Sequence, residues 1–469
     1  MMRQYEMVIG LETHVELSTD TKIFCPCSTA FGGEPNTHVC PVCTGQPGSL
    51  PVLNGKVVEY AVKAGVALNC HINTFSKMDR KHYVYPDLPK AYQISQYDEP
   101  LCEHGCVELS NGRKIGITRI HIEEDAGKLV HDGEDVFIDY NRGGVPLIEI
   151  VTEPDFRSAE EAVEYLEHLQ STMRTAGVSD CRMQEGSLRC DVNISLREPG
   201  ADFGTRAEIK NLNSFTAVSD AINYEYDRQS TLLSHGKSVV QETRHWNADL
   251  GETFNMRGKE NADDYRYFPE PDITPIVLTE EDIARWSAEL PEMPDKRQKR
   301  YAEELGIPED DAKLLVKYLP VAEYFEEAIE GVSPKTVDSF MITQLFSVIT
   351  TESEREKWAP KTSAKQLNEL TKLLESGKIS RNVAKKTLNT MLETGKGALD
   401  LLSPEDLEGF DESTLPDICR KIIAANEKSV ADFKSGKEKA IKALVGGVMR
   451  ETKGRADAIA AEKLLRELI

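Results

Sequence analysis

No run of about 18 consecutive apolar residues occurs in this 469-residue chain, so no membrane-spanning helix is expected. The segment Met1 to Glu16 has no basic stretch leading into an apolar one and carries acids from the outset, so no secretion signal is expected. Internal repeats and low-complexity tracts are also missing, which argues against solenoids and disordered arrays. The H-E-x-x-H spacing of helical zinc proteases is absent. Positive charge is scarce: 56 Lys and Arg stand against 79 Asp and Glu, a net charge of -23. A surface of that sign repels nucleic acid unless basic residues gather locally. These absences leave a soluble cytosolic protein as the expectation.

What is present suffices for ordinary globular packing. Hydrophobic residues make up 40% of the chain, and its length suits roughly two to four domains. Up to about residue 290 the sequence is rich in Gly, Pro and turn signals, with repeated period-2 alternation. Beyond Leu290 the pattern becomes helical, with Pro291 and Pro294 at the change and a helix start at Ile307-Pro308-Glu309-Asp310-Asp311. Ser403-Pro404 marks a second change. The expected class is α+β: a domain on an antiparallel sheet over 1–292, a helical domain over 293–402 and a helical tail over 403–469.

Alternate residues of a strand face opposite ways. In Val8 to Leu17 one face carries Glu12, His14 and Glu16, and the other carries Ile9, Leu11, Val15 and Leu17. Leu188 to Leu196 presents Arg189, Asp191, Asn193 and Ser195 on one face; Thr205 to Lys210 presents Arg206, Glu208 and Lys210. Glu149 interrupts the apolar run Pro146 to Val151, a costly place for an unpaired carboxylate. Ile120 to Ile122 runs into Glu123, Glu124 and Asp125. Any one of these strands could be an ordinary solvated face. Together, Glu12, His14, Glu124 and Glu149 offer hard oxygen ligands and one imidazole, a set suited to Mg2+ beside phosphates. The neighbouring Arg and Lys suit phosphate oxygens.

Two further segments stand out. Asp79 to Gln96 mixes basic, aromatic and Pro residues in a loop suited to a flat, anionic ligand. Cys25-Pro26-Cys27 and Cys40-Pro41-Val42-Cys43 have spacing for a closed four-thiolate zinc site, which would be structural. The other six cysteines lack paired spacing and suit the core; Cys102 and Cys106 flank His104 in an expected loop.

Several long segments resemble the GatB/GatE family, the B-type subunits of tRNA-dependent amidotransferases. They are Ile9 to Leu17, Tyr85 to Gln96, His121 to Lys128, Asn141 to Glu149 and Asp264 to Asp272. The resemblance runs from Tyr5 to the C-terminus. It implies a cradle domain, a helical domain and a tail resembling YqeY proteins. It implies Mg2+ at Glu12, His14, Glu124 and Glu149, and ammonia arriving at Lys81, Tyr83, Lys90 and Glu124. Arg189, Arg206, Glu208 and Lys210 become the expected nucleotide contacts. The implied activity is ATP-dependent phosphorylation of the side-chain carboxylate of Glu-tRNA(Gln) or Asp-tRNA(Asn), then amidation. The chain shows no Gly/Ser-rich amidase segment with a paired lysine and no Cys-His glutaminase arrangement. Ammonia is therefore expected from a partner, the amidase subunit GatA, with the small subunit GatC.

Between Lys434 and Arg455 lie seven basic residues and two acids, a local patch of the kind that RNA backbone needs. Lys434, Lys437, Lys442, Arg450, Lys453 and Arg455 are the expected tRNA contacts, and Gly446-Gly447 would let backbone approach phosphate. Two other classes remain open at this point. A metallohydrolase built on Glu12-x-His14-x-Glu16 would turn over without ATP. A zinc scaffold that only positions tRNA would tolerate Glu12→Ala or His14→Ala.

Overall fold

The structure, a computed structural model, describes residues 5–258, 262–407, 412–452 and 456–469. The chain divides into two compact units, Met1–Pro294 and Asp295–Ile469.

The first unit begins with β1 (Glu6–Glu16), α1 (Gly55–Ala67), β2 (His71–Ile72), β3 (Phe75–Ser76), β4 (Asp79–His82) and β5 (Tyr92–Ser95). Then come β6 (Cys102–Glu108), β7 (Lys114–Glu124), β8 (Lys128–Asp132), β9 (Asp135–Asp139), β10 (Pro146–Thr152), α2 (Ala159–Thr175) and β11 (Leu188–Arg197). It ends with β12 (Ala207–Leu212), α3 (Phe215–Ser234), β13 (Glu242–Asn247), β14 (Glu252–Gly258), β15 (Phe268–Pro269), β16 (Ile276–Val277) and α4 (Glu280–Ala288).

Among the described residues, nine strands form one sheet in the order β14-β13-β12-β11-β1-β10-β7-β6-β2. The expectation of an antiparallel sheet needs one correction: β12 and β13 pair in parallel. Parallel neighbours need a crossover, and the 20-residue α3 between them supplies it. The Asp79 to Gln96 segment is not an irregular loop but a hairpin, β4 against β5 with Lys81 opposite Gln93. Likewise Cys102, His104 and Cys106 lie on strand β6.

Side-chain parity separates the two faces of the large sheet. Ile9, Leu11, Val15, Ile120, Ile122, Ile148, Ile150, Val192 and Ile194 are buried in one core with Val58, Val62, Leu166, Leu169 and Ile222 of α1, α2 and α3. The helices start where their sequences allow. Asn54, Ser158 and Ser214 accept hydrogen bonds from the first-turn amides of α1, α2 and α3. With the helices on the apolar face, the opposite face keeps its charges.

The second unit is helical. Pro308 precedes the helix Glu309–Val316, and reciprocal capping boxes open Glu352–Lys357 and Ala364–Glu375. It holds one hydrophobic cluster from Tyr301 to Leu402 and another from Leu415 to Leu465. No helix among the described residues is long and apolar enough to cross a membrane.

Candidate active site

Register assembles the polar face. His14 of β1 pairs with Glu149 of β10 on one side and Arg189 of β11 on the other. Glu149 in turn faces His121 of β7. Glu12 lies opposite Asp191, and Asn193 opposite Glu208. Cross-strand partners share a face, so five adjacent strands turn ionisable groups the same way.

One group is His14, Glu123 and Glu149, whose candidate ligand atoms all lie within 4.8 Å of one another. His14 Nε2 is 3.7 Å from both Glu123 Oε1 and Glu149 Oε2. His121 Nε2 sits 3.3 Å from Glu149 Oε2 and 3.7 Å from Glu123 Oε2, while its Nδ1 is buried without a hydrogen-bond partner. Burial would raise the carboxyls of Glu123 and Glu149, but His121 and Lys81 hold both below the usual range. Burial would likewise lower Lys81, but Glu123, Tyr267 and Glu149 together raise it, so its amine stays charged. Its Nζ lies 5.0 Å from the centroid of Tyr265, and Tyr83 meets Tyr265 edge-on at 5.9 Å. Two carboxylates and an imidazole that converge suit a hard divalent cation such as Mg2+.

Glu12 does not join that trio. It forms a second group with Asp191 and Glu208, again within 4.8 Å. Asn193 Nδ2 donates to Glu12 Oε1 at 2.8 Å, and Lys210 Nζ lies 2.5 Å from Asp191 Oδ2 and 3.4 Å from Glu208 Oε1. Beside this group lies a cleft of about 540 Å³ whose walls include Gly10, Glu12, Asn193, Ser195, Thr205 and Arg206. Arg189, expected among nucleotide contacts, is held by Asp125, with nitrogen–oxygen distances of 2.7 and 3.2 Å. Next to it the Glu16 carboxyl is pushed up to about 9, mainly by burial and then by Asp125, against the pull of Arg189 and Arg142.

Glu124 also stands apart from the trio. As the neighbour of Glu123 on β7 it turns to the opposite face, where Lys90 Nζ meets both its oxygens at 2.6 Å. The Ile94 N–H donates to Glu124 Oε1 at 2.9 Å. A cavity of about 220 Å³ lies between Lys90, Glu124 and the cysteine loops. Gly45, at φ +65°, lets that loop pass close to Lys90: a Cβ there would lie 2.7 Å from Lys90 Cγ.

Cys25, Cys27, Cys40 and Cys43 place their sulfurs within 4.8 Å of one another. The Cys40–Cys43 separation is 3.9 Å, close to the ~3.8 Å edge of a tetrahedron with Zn–S of ~2.3 Å. The Cys40 N–H donates to Cys43 Sγ at 3.2 Å. A hydrogen bond from Cys25, that N–H and the charge of Lys22 hold Cys43 well below the usual thiol range despite burial. The donor set thus fits a structural zinc.

In the second unit Lys434, Lys437, Lys442 and Arg450 are exposed, and Lys437 pairs with Asp432 at 2.9 Å. Lys453 and Arg455 lie outside the described residues. Gly446 and Gly447 sit within the helix Ala440–Glu451, where a Cβ on Gly447 would lie 3.0 Å from Ile422. Gly447 thus serves helix packing, whereas a Cβ on Gly446 would meet open space.

Sequence reasoning overlooked Glu123 and His121. The signal was available: with Glu149 fixed as a site residue, period-2 parity on β7 selects 121 and 123 rather than 124.

Comparison with known proteins matches residues 7–284 to a model described as the GatB/GatE catalytic domain and residues 323–469 to one described as a GatB domain. Relatives known as the B subunit of aspartyl/glutamyl-tRNA(Asn/Gln) amidotransferase include one from Thermoanaerobacter pseudethanolicus, 53% identical over 99% of both chains. Those from Carboxydothermus hydrogenoformans and Agathobacter rectalis are 50% and 51% identical, over 99% and 100% of both chains. With family models covering most of its length and half-identical relatives matching it end to end, the chain belongs to the GatB/GatE family.

Proposed function

We propose that this chain is the B subunit of a cytoplasmic tRNA-dependent amidotransferase, a ligase that converts Glu-tRNA(Gln), Asp-tRNA(Asn) or both to the amide with ATP and ammonia. The observation that carries this function is the convergence of His14, Glu123, Glu149 and the charged Lys81 beside the Glu12-Asp191-Glu208 group on one sheet face.

A carboxylate resists ammonia because oxide is a poor leaving group. In the first step a side-chain carboxylate oxygen attacks the γ-phosphorus of ATP, the bond to the β,γ-bridging oxygen breaks, and ADP leaves. In the second, ammonia attacks the carbonyl carbon of the acyl phosphate. The C–N bond forms, the C–O bond to phosphate breaks, phosphate leaves with the electron pair, and a proton passes from nitrogen to a base.

The first step asks little covalent chemistry of the protein and much positioning of charge. Magnesium held by His14, Glu123 and Glu149 would neutralise phosphate charge as it shifts. Lys81 adds a fixed cation, and His121, whose Nε2 lies beside both carboxylates, orients them. Arg206 and Glu12 line the cleft that suits the nucleotide, and Glu208 and Lys210 stand next to Glu12 and Asp191 at its side. Lys81, Tyr83, Lys90 and Glu124 would line the approach of ammonia, released from glutamine by GatA, with GatC completing the heterotrimer. The four-cysteine site would hold a structural zinc, and residues 293–402 and 403–469 would serve as helical domain and YqeY-like tail, the latter touching tRNA through its basic residues.

The test is amidation by the reconstituted A, B and C subunits with each mischarged tRNA, with and without ATP. The expected result is amide formation on at least one tRNA that stops when ATP is omitted. Product without ATP, or none on either tRNA, would refute the assignment.

A further inference from the structure

Arg119 lies on the polar face of β7, two residues before His121, and the proposed chemistry leaves it unused. Among the described residues no carboxylate pairs with it. Its cross-strand neighbour Glu103 accepts instead from Asn73 Nδ2 at 2.9 Å. Its NH1 has only a long contact, 3.4 Å, to the Tyr97 carbonyl oxygen, and its Nε is buried without a hydrogen-bond partner. Apart from Arg206 at the nucleotide cleft, the basic groups named on this face are matched: Arg189 by Asp125, Lys210 by Asp191, Lys81 by Glu123 and Glu149. A half-buried guanidinium without an acid, in a chain of net charge -23, is placed to meet an anion.

Flat rings flank it. Tyr97 and Tyr267 stack with centroids 4.2 Å apart and planes 7° from parallel, Tyr97 is 39% exposed, and the Arg119 charge acts on Tyr267. One cation beside a stacked, partly exposed aromatic pair matches a single unpaired nucleotide, whose base stacks on a ring and whose phosphate meets the guanidinium.

We propose that Arg119, Tyr97 and Tyr267 form the subsite for the 3′-terminal nucleotide of the tRNA, which carries the amino acid to be amidated. This rests on the function proposed above. Two substrates must meet at His14, Glu123 and Glu149 from different sides. The cleft beside Glu12, Asp191 and Glu208 is walled by Gly10 and Glu12 of β1, Asn193 and Ser195 of β11, Thr205 and Arg206 just before β12 and, on its other edge, Val151 of β10; Arg119 lies one strand beyond that edge, on β7 opposite Val151. A nucleotide seated toward Arg206 leaves the Arg119 edge for the tRNA end.

The experiment uses the three-subunit assembly and a mischarged tRNA, with KM and kcat measured for tRNA and ATP separately. Arg119→Ala and Tyr97→Ala should each raise KM for tRNA about tenfold while KM for ATP stays within about twofold, and Tyr97→Phe should restore the tRNA value. A tRNA with 2-aminopurine at its 3′ end should lose fluorescence on binding wild type and lose less on binding Tyr97→Ala. Binding by that probe keeps the proposal testable should Arg119→Ala fold poorly. An unchanged KM for tRNA, a rise in KM for ATP alone, or equal quenching by Tyr97→Ala would overturn the subsite. If the wild-type assembly amidates while the variants behave as wild type, only the subsite fails; if wild type amidates nothing, the function proposed above fails and takes the subsite with it.

Discussion

Glu225 of α3 is fully buried and receives Arg228 through two hydrogen bonds of 2.8 Å, Thr253 at 2.6 Å and Gln229 at 3.0 Å. Burial would raise its carboxyl, but Arg228 and Thr253 bring it below the usual glutamate range. A depressed carboxyl stabilises the fold above its ordinary pKa, and that contribution is lost as pH falls through the folded value. Glu225→Gln should therefore cost about 3 kcal/mol in urea unfolding at neutral pH, because Arg228 and Arg244 lose their buried acid. The gap between variant and wild type should narrow as pH falls below about 4.5. At Gly45 the constraint is steric and conformational. Gly45→Ala puts a methyl where φ is +65° and against Lys90, and should cost about 1–3 kcal/mol by the same measurement.

At the scale of elements, strand parity explains both what the sequence revealed and what it hid. The polar face of β1 and the apolar run around Glu149 were legible because alternation there is clean, and His14 and Glu149 meet in the structure. Glu123 and Glu124 are adjacent acids, and a resemblance at motif level does not say which way each turns. Alternation with the buried Ile120 and Ile122 does, and it sends Glu123 toward His14 and Glu124 toward Lys90. The parallel β12–β13 pair was hidden because parallel pairing leaves no local mark on either strand. Gly447 packs a helix contact within Ala440–Glu451, a use that a glycine pair does not distinguish in sequence from an exposed turn. The cysteine knuckle was legible from spacing alone and carries its own prediction. Purified protein should hold about one zinc per chain, Cys43→Ser should lose it, and a chelator should lower Tm through loss of the metal's binding energy. A metal-free protein of unchanged Tm would show that four thiols stand there unbridged.

For the molecule as a whole, charge distribution sets the terms on which the proposed function can bind tRNA. A net -23 opposes RNA, so the proposed association relies on local cations such as the exposed Lys442 and Arg450. Lys442→Glu combined with Arg450→Glu should weaken tRNA binding and reduce the steepness of its salt dependence by about 1–2 in log-log slope, without changing the preference between tRNAs. An unchanged slope would remove these residues from the interface. On the sheet face, the proposed function has His14, Glu123 and Glu149 together hold the charge that lets a carboxylate be phosphorylated. The most direct measurement is the rate of ADP formation by the assembled subunits with mischarged tRNA and Mg2+ but no glutamine, for wild type and Glu149→Gln. ADP formation should depend on the mischarged tRNA and fall about a hundredfold or more in the variant; a variant that forms ADP at the wild-type rate would contradict the account.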